Sequence, residues 1–150
     1  MRVVIQRVSE ARVIINGKIH SEIGQGLMIL AGWEDSDTKE DLDWVAQKVS
    51  RMRLFDDSEG VMNRSVQEVG GELMVVSQFT LHAATKKGNR PSYYRSATGS
   101  VSEPHYEAFL DILWNASGLP VKSGIFGADM KIDLINDGPV TITMDSKNKE

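Results

Sequence analysis

The sequence predicts an α+β domain in which a curved, largely antiparallel β-sheet or barrel is covered by two helices. Three observations lead there. Two continuous apolar runs, at 27–33 and 73–81, have the length and Val/Met/Leu content of strands buried on both faces. Two segments with helical periodicity separate the strand-like stretches, and the first and last thirds of the chain alternate apolar and polar residues as half-buried strands do. At 150 residues the chain has the size of a single domain, long enough to bury about 70% of its unfolded surface without a disulfide or structural metal. Only the polar, unpatterned stretch 146–150 reads as a possible loose tail.

The elements follow in order. Val3, Ile5, Val13 and Ile15 alternate with polar residues, and Asn16-Gly17 is a strong two-residue hairpin turn. Gly24-Gln25-Gly26 supplies the next turn and leads into the first apolar run. After Asp35-Ser36-Asp37-Thr38, which offers helix N-caps, Leu42, Val45, Val49 and Met52 fall on one face. Acids crowd the start of that helix, and Lys48, Arg51 and Arg53 its end, the order that the helix dipole favours. Asp56 to Gly60 is a turn, and Gly70-Gly71 breaks the chain before the second apolar run. A second helix is expected from about Ser102, with Pro104 in its first turn and Tyr106, Phe109, Leu110, Leu113 and Trp114 as its apolar face; Gly118 stops it. Residues 130–135 and 140–144 read as two further strands.

Composition excludes several kinds of chemistry. Cysteine is absent, which removes thiolate nucleophiles, Cys-based zinc sites and disulfides. His20, His82 and His105 lack the spacing of a metal site and read as three unrelated surface or capping histidines, so neither metal nor cofactor is expected. The 124–128 segment lacks both the P-loop lysine and the dinucleotide-binding glycine spacing. The opening residues lack a signal peptide's apolar region, and no run approaches the roughly 18 residues of a membrane span, so a cytoplasmic protein with no membrane partner is expected.

The formal net charge is -4, yet no acidic residue occurs from Ala83 through Ser102, where Lys86, Lys87, Arg90 and Arg95 stand with Tyr93 and Tyr94 among them. This is a local basic and aromatic patch on an acidic protein; read blandly, it is a solvated loop. Just before it, Ser77-Gln78-Phe79-Thr80 places polar side chains at the end of an otherwise apolar strand. They either satisfy one another where the strand emerges or border a cavity, and a polar pocket beside a cationic rim suits a polyanionic substrate.

Ser77-Gln78-Phe79-Thr80-Leu81 together with Asn136-Asp137-Gly138-Pro139-Val140-Thr141 resembles the paired signature of the D-aminoacyl-tRNA deacylases. The opening Gln6-Arg7-Val8 and the Lys86-Lys87-Gly88-Asn89-Arg90-Pro91-Ser92 loop look similar too, so the resemblance runs over essentially the whole chain. The chain departs from the family pattern at Ala84, where an acidic residue is common, and at Tyr93, where phenylalanine is; both fall on the rim. The resemblance implies a homodimer that hydrolyses the ester of D-aminoacyl-tRNA at the 3′ end; a site that rejects L residues by sterics would not exclude glycine, so glycyl-tRNA is expected as a side substrate, and no DNA partner is expected. The resemblance also implies a catalytic role for Ser77, Gln78, Phe79 and Thr80. Gly138 and Pro139 would form a cis step that enters the partner subunit's pocket for chiral selection, supported by Arg7 and Asn136, with Lys86, Lys87 and Arg90 meeting tRNA. Two rivals remain at this stage: a non-catalytic RNA-binding module and a dimeric scaffold without an RNA partner.

Overall fold

The computed structural model describes all 150 residues. A long first strand, β1 (Arg2–Ile15), organises the sheet. Along one edge it pairs antiparallel with β2 (Lys18–Ile23) near its end and with β3 (Gly26–Gly32) near its start. The turn between β1 and β2 is the expected one, with Asn16 and Gly17 both at positive φ. After α1 (Lys39–Arg51) comes a small separate hairpin, β4 (Arg53–Asp56) and β5 (Met62–Ser65), of which the sequence had signalled only the turn.

β6 (Glu72–Ser77) then returns to the main sheet parallel to β3, and β7 (Val121–Ser123) lies parallel to β6. Between them runs α2 (Gly99–Ser117). The stretches 130–135 and 140–144, expected as two strands, merge into one continuous strand, β8 (Lys131–Asp145), which pairs antiparallel with almost the whole of β1. Three of the main sheet's five pairings are therefore antiparallel. Irregularities in the β1–β8 register around Gln6 to Glu10 bend the sheet, as bulges do. The two ends of the strand path meet where the Ser21 hydroxyl on β2 donates to the Ser123 carbonyl on β7 at 2.7 Å, so the sheet nearly closes into a barrel.

The two apolar runs are continuous because both faces of β3 and β6 are buried. Leu27, Ile29, Leu73 and Val75 face the layer shared with the helices, where Leu42, Val45, Val49, Phe109 and Leu113 meet them. Met28, Met74 and Val76 face the barrel interior with Val8, Ala11 and Val13. Trp33 packs edge-on against Tyr106 and Phe109, with centroids 6.0 and 6.4 Å away. The Tyr106 hydroxyl, whose ionisation burial pushes up, donates to the Val75 carbonyl at 3.0 Å.

Four other local expectations change. The second apolar run is strand only to Ser77; residues Phe79–His82 form a short 3-10 helix. α2 begins at Gly99 after Thr98, earlier than Ser102, which puts Pro104 in its second turn; Ser100, whose carbonyl Pro104 leaves without a helical partner, is an exposed residue. Trp114 is 57% exposed, since the buried stripe runs through Tyr106, Phe109 and Leu113 and the next residue turns away by about 100°. Finally, the tail does not begin loose: Ser146 is buried and donates its N–H to the Met1 carbonyl at 2.9 Å, and Lys147 pairs with Asp41 at 2.6 Å. No helix is long and apolar enough to cross a membrane.

Candidate active site

The site begins where β3 and β6 end together. Ser77 lies opposite Ala31 in the parallel register, and the Gln78 N–H makes one more sheet bond, 2.7 Å to the Ala31 carbonyl. The chain then turns into the 3-10 helix beside Gly32. A Cβ at position 32 would lie 2.5 Å from the Gln78 carbonyl oxygen and 3.3 Å from the His82 ring, so only glycine permits this approach. The first N–H groups of a 3-10 helix precede any i−3 partner inside it. Those of Phe79 and Thr80 donate to no other group of the chain. The Gln78 amide donates to the Thr80 hydroxyl, and the Ser96 hydroxyl fixes the Phe79 carbonyl at 2.8 Å.

Ser77, Gln78 and Phe79 form one wall of a cavity of about 470 Å³. Trp33 and Val76 contribute apolar surface, and the start of α2 (Gly99, Ser102) and the loop from Phe126 to Met130 close the other sides. Thr80 is half-buried at its edge and does not line it. The basic loop rises beside this opening. It is pinched at its base by reciprocal bonds between Ala84 and Ser92, 2.7 and 3.0 Å, and tied to the site by the edge-on contact of Phe79 with Tyr93 at 5.1 Å. Lys86, Lys87 and Arg90 are exposed and make no ion pair.

Gly138 and Pro139 stand elsewhere. They are exposed on β8, their peptide bond is cis, and neither lines the cavity of their own protomer. Arg7, almost fully buried, holds this segment: its Nε donates to the Asp137 carbonyl at 3.2 Å, and its Nη1 donates to the Leu54 carbonyl at 2.7 Å. Asn136 Nδ2 spans the segment from below, donating to the carbonyls of Arg7 at 3.0 Å and Val140 at 3.1 Å. Gly138 has φ 121°, and a Cβ there would meet Arg7 Nη2 at 2.9 Å. The structure thus gathers the expected residues into two separate groups, Ser77 to Thr80 with the basic loop and Arg7 with Asn136 to Pro139.

A family model described as D-Tyr-tRNA(Tyr) deacylase matches residues 4–145. The chain belongs to that family. A D-aminoacyl-tRNA deacylase of Parabacteroides distasonis is 59% identical over all of both chains, and one of Bacteroides thetaiotaomicron is 57% identical over the same span. Among solved structures, one titled c-Myc DNA Unwinding Element Binding Protein superposes with a TM-score of 0.91 at 36% identity, covering 97% of this chain and 98% of the other.

Two parts of the pocket lie outside the residues to which the sequence points. The sequence places Trp33 at the end of a buried strand and weighs the 124–128 segment only as a phosphate loop; no local period marks Phe126 and Gly127 as a cavity wall. Against the expectation of a surface or capping residue, His82 is 1% exposed. Neither of its ring nitrogens has a hydrogen-bond partner of good geometry; the nearest carboxylate, Glu34, is 4.0 Å away. Burial holds this imidazole below the usual histidine range, with the nearby Arg2 and the N-terminal ammonium acting in the same sense.

Proposed function

We propose that this pocket hydrolyses the ester between a D-amino acid and the 3′-terminal ribose of tRNA without a catalytic triad, releasing free D-amino acid and tRNA in translational proofreading. Family membership and full-length likeness to proteins named D-aminoacyl-tRNA deacylase support the reaction. The observation that carries the mechanism is the pair of backbone N–H groups at Phe79 and Thr80, unpartnered within the chain at the edge of the cavity. An aminoacyl ester is already activated, and two preorganised donors suit the oxyanion that forms when its carbonyl is attacked. One such donor is worth about 3 kcal/mol, close to a hundredfold in rate. The vicinal ribose hydroxyl, or a water that it orients, assists the attack. Ser77 and Gln78 shape the polar wall, and the Thr80 hydroxyl is held by Gln78 rather than by a base.

Lys86, Lys87 and Arg90 meet the phosphates near the tRNA end in this reading, without a cofactor. The chain works as a cytoplasmic homodimer in which Gly138 and Pro139 of one subunit enter the pocket of the other. There a glycine without a side chain and a proline without an N–H present two carbonyls that crowd an L side chain and leave a D side chain free. Arg7 and Asn136 brace this segment. Glycine has no side chain to exclude, so glycyl-tRNA is cleaved as well. DNA is not expected as a partner, and duplex DNA added as a competitor checks this.

The test is a deacylation assay on purified protein with D-, L- and glycyl esters of tRNA. Release of D- and glycyl residues with L-esters spared is the expected result. Salt-dependent tRNA binding without hydrolysis would point to an RNA-binding module, and neither activity would leave a scaffold.

A further inference from the structure

A second group of cations lies far from the basic loop in sequence. Lys48 and Arg51 are one turn apart in the last turns of α1, and Arg53 opens β4. All three are exposed, and none makes an ion pair. With Trp44, Gln47 and Met52 they line a cleft of about 380 Å³ that contains no carboxylate. An adjoining depression shares Arg51 and Arg53 and does contain an acid, Glu68, but that carboxylate is engaged by the Ser65 N–H at 2.6 Å. Complementing the helix dipole accounts for cations in the last turn of α1. It does not account for Arg53, which lies beyond the helix and is held at the surface by Asn63 Oδ1 at 2.9 Å.

The position of this patch gives it a use. Arg7 donates to the carbonyl of Leu54, the residue after Arg53, and with its other face to the carbonyl of Asp137, the residue before Gly138. One buried side chain therefore fixes the cationic strand to the segment proposed to enter the neighbouring subunit. We propose that Lys48, Arg51 and Arg53 form a second phosphate-binding surface, which carries the backbone of a tRNA whose 3′ end occupies the partner subunit's pocket. The inference rests on the dimeric reading given above. It makes the tRNA track composite: the Lys86 to Arg90 loop from the subunit that cleaves, and the α1–β4 patch from the other.

The experiment compares the parent enzyme with Lys48→Ala/Arg51→Ala/Arg53→Ala and with the milder Arg53→Gln. Each lost phosphate contact lowers the log–log salt slope of tRNA binding by roughly 0.7 to 0.9, so the triple variant should lose roughly 2 to 3. KM for D-aminoacyl-tRNA should rise, whereas hydrolysis of a D-aminoacyl adenosine, too short to reach the patch, should be unchanged. An unchanged salt slope overturns the proposal, and equal damage to the short substrate shows that the patch is only structural. Mixed dimers decide which subunit is served. When the triple variant is paired with a Thr80→Pro subunit, whose pocket lacks a donor, the one working pocket faces an intact patch on its neighbour and should show the parental KM. A raised KM there places the patch beside its own pocket and overturns the composite track. Sedimentation of the parent chain as an active monomer refutes the dimeric reading itself, independently of the slope.

Discussion

Single residues decide whether the turn after β6 can act. Gly32 lets the Gln78 carbonyl and the His82 ring come close to the end of β3, which is what tips Phe79 and Thr80 out of the sheet with their N–H groups free. The Thr80 side chain, in contrast, is held by Gln78 and has no base beside it. Thr80→Ala should therefore retain most of kcat with no covalent acyl-enzyme on quenching; trapping an aminoacyl-threonine in the parent enzyme would overturn the backbone mechanism. His82 gives a stability signature. Its folded pKa lies below the unfolded value of about 6.5, so the unfolded chain binds the proton more readily as pH falls. The neutral ring's contribution is complete above about pH 6.5 and is lost on acidification through the lower folded value. The slope cannot exceed about 1.4 kcal/mol per pH unit. Asp41 does not confuse the reading between pH 7.5 and 5: burial opposes its charge, but the Lys147 and Thr38 bonds keep its pKa far below that window. Denaturant unfolding of His82→Phe should show a flatter loss of stability over this range than the parent chain; parallel curves would mean that the ring titrates normally.

At the scale of elements, the basic loop combines a fixed base with free cations. Its base is fixed by the Ala84–Ser92 pair and by Tyr93 against Phe79, while its cations remain unpaired. Ordered attachment with free charge is what a phosphate-binding loop needs, and a solvated loop needs only the charge. Lys86→Ala/Lys87→Ala/Arg90→Ala should lower the salt slope of tRNA binding by roughly 2 to 3. An unchanged slope returns the loop to a solvated face. The elements that the sequence displayed clearly are those with a period. The 27–33 run, the α1 stripe of Leu42, Val45 and Val49, and the Asn16-Gly17 turn all stand where read, because burial on one or two faces leaves a repeating mark. Ser77 to Thr80 carried no such mark. Its change from strand to 3-10 helix depends on the absence of a side chain at Gly32, 45 positions earlier, and no local pattern reports that. The Phe126 wall was hidden for the same reason, since a loop lining a cavity has neither alternation nor helical period.

The whole molecule poses the question of handedness. Within one chain, the pocket and the Gly138–Pro139 segment are separate, yet the segment is braced as firmly as a core element while being exposed itself. Arg7 is nearly buried, and its guanidinium reaches two carbonyls from different elements, Leu54 and Asp137. An ammonium group cannot match that fork, so lysine is not a conservative replacement here. In the proposed dimer, rigidity of this kind would serve rejection more than binding, because a movable obstacle would yield to an L side chain. Arg7→Lys and Gly138→Ala should thus leave the proposed dimer intact and active on D-esters while raising its cleavage of L-aminoacyl-tRNA. At position 138, a side chain would meet Arg7 Nη2 and Val140 Cγ2, each at 2.9 Å, in a backbone conformation that L residues rarely adopt, which costs about 1–3 kcal/mol. If half of that strain is relieved by shifting the segment, about 0.5–1.5 kcal/mol, the D-to-L ratio of kcat/KM falls by roughly two- to tenfold. The measurement is that ratio on matched D- and L-tyrosyl-tRNA, with sedimentation to confirm the dimer. Two variants that keep the parental ratio would separate chiral selection from this segment and return it to the apolar and polar walls around Ser77.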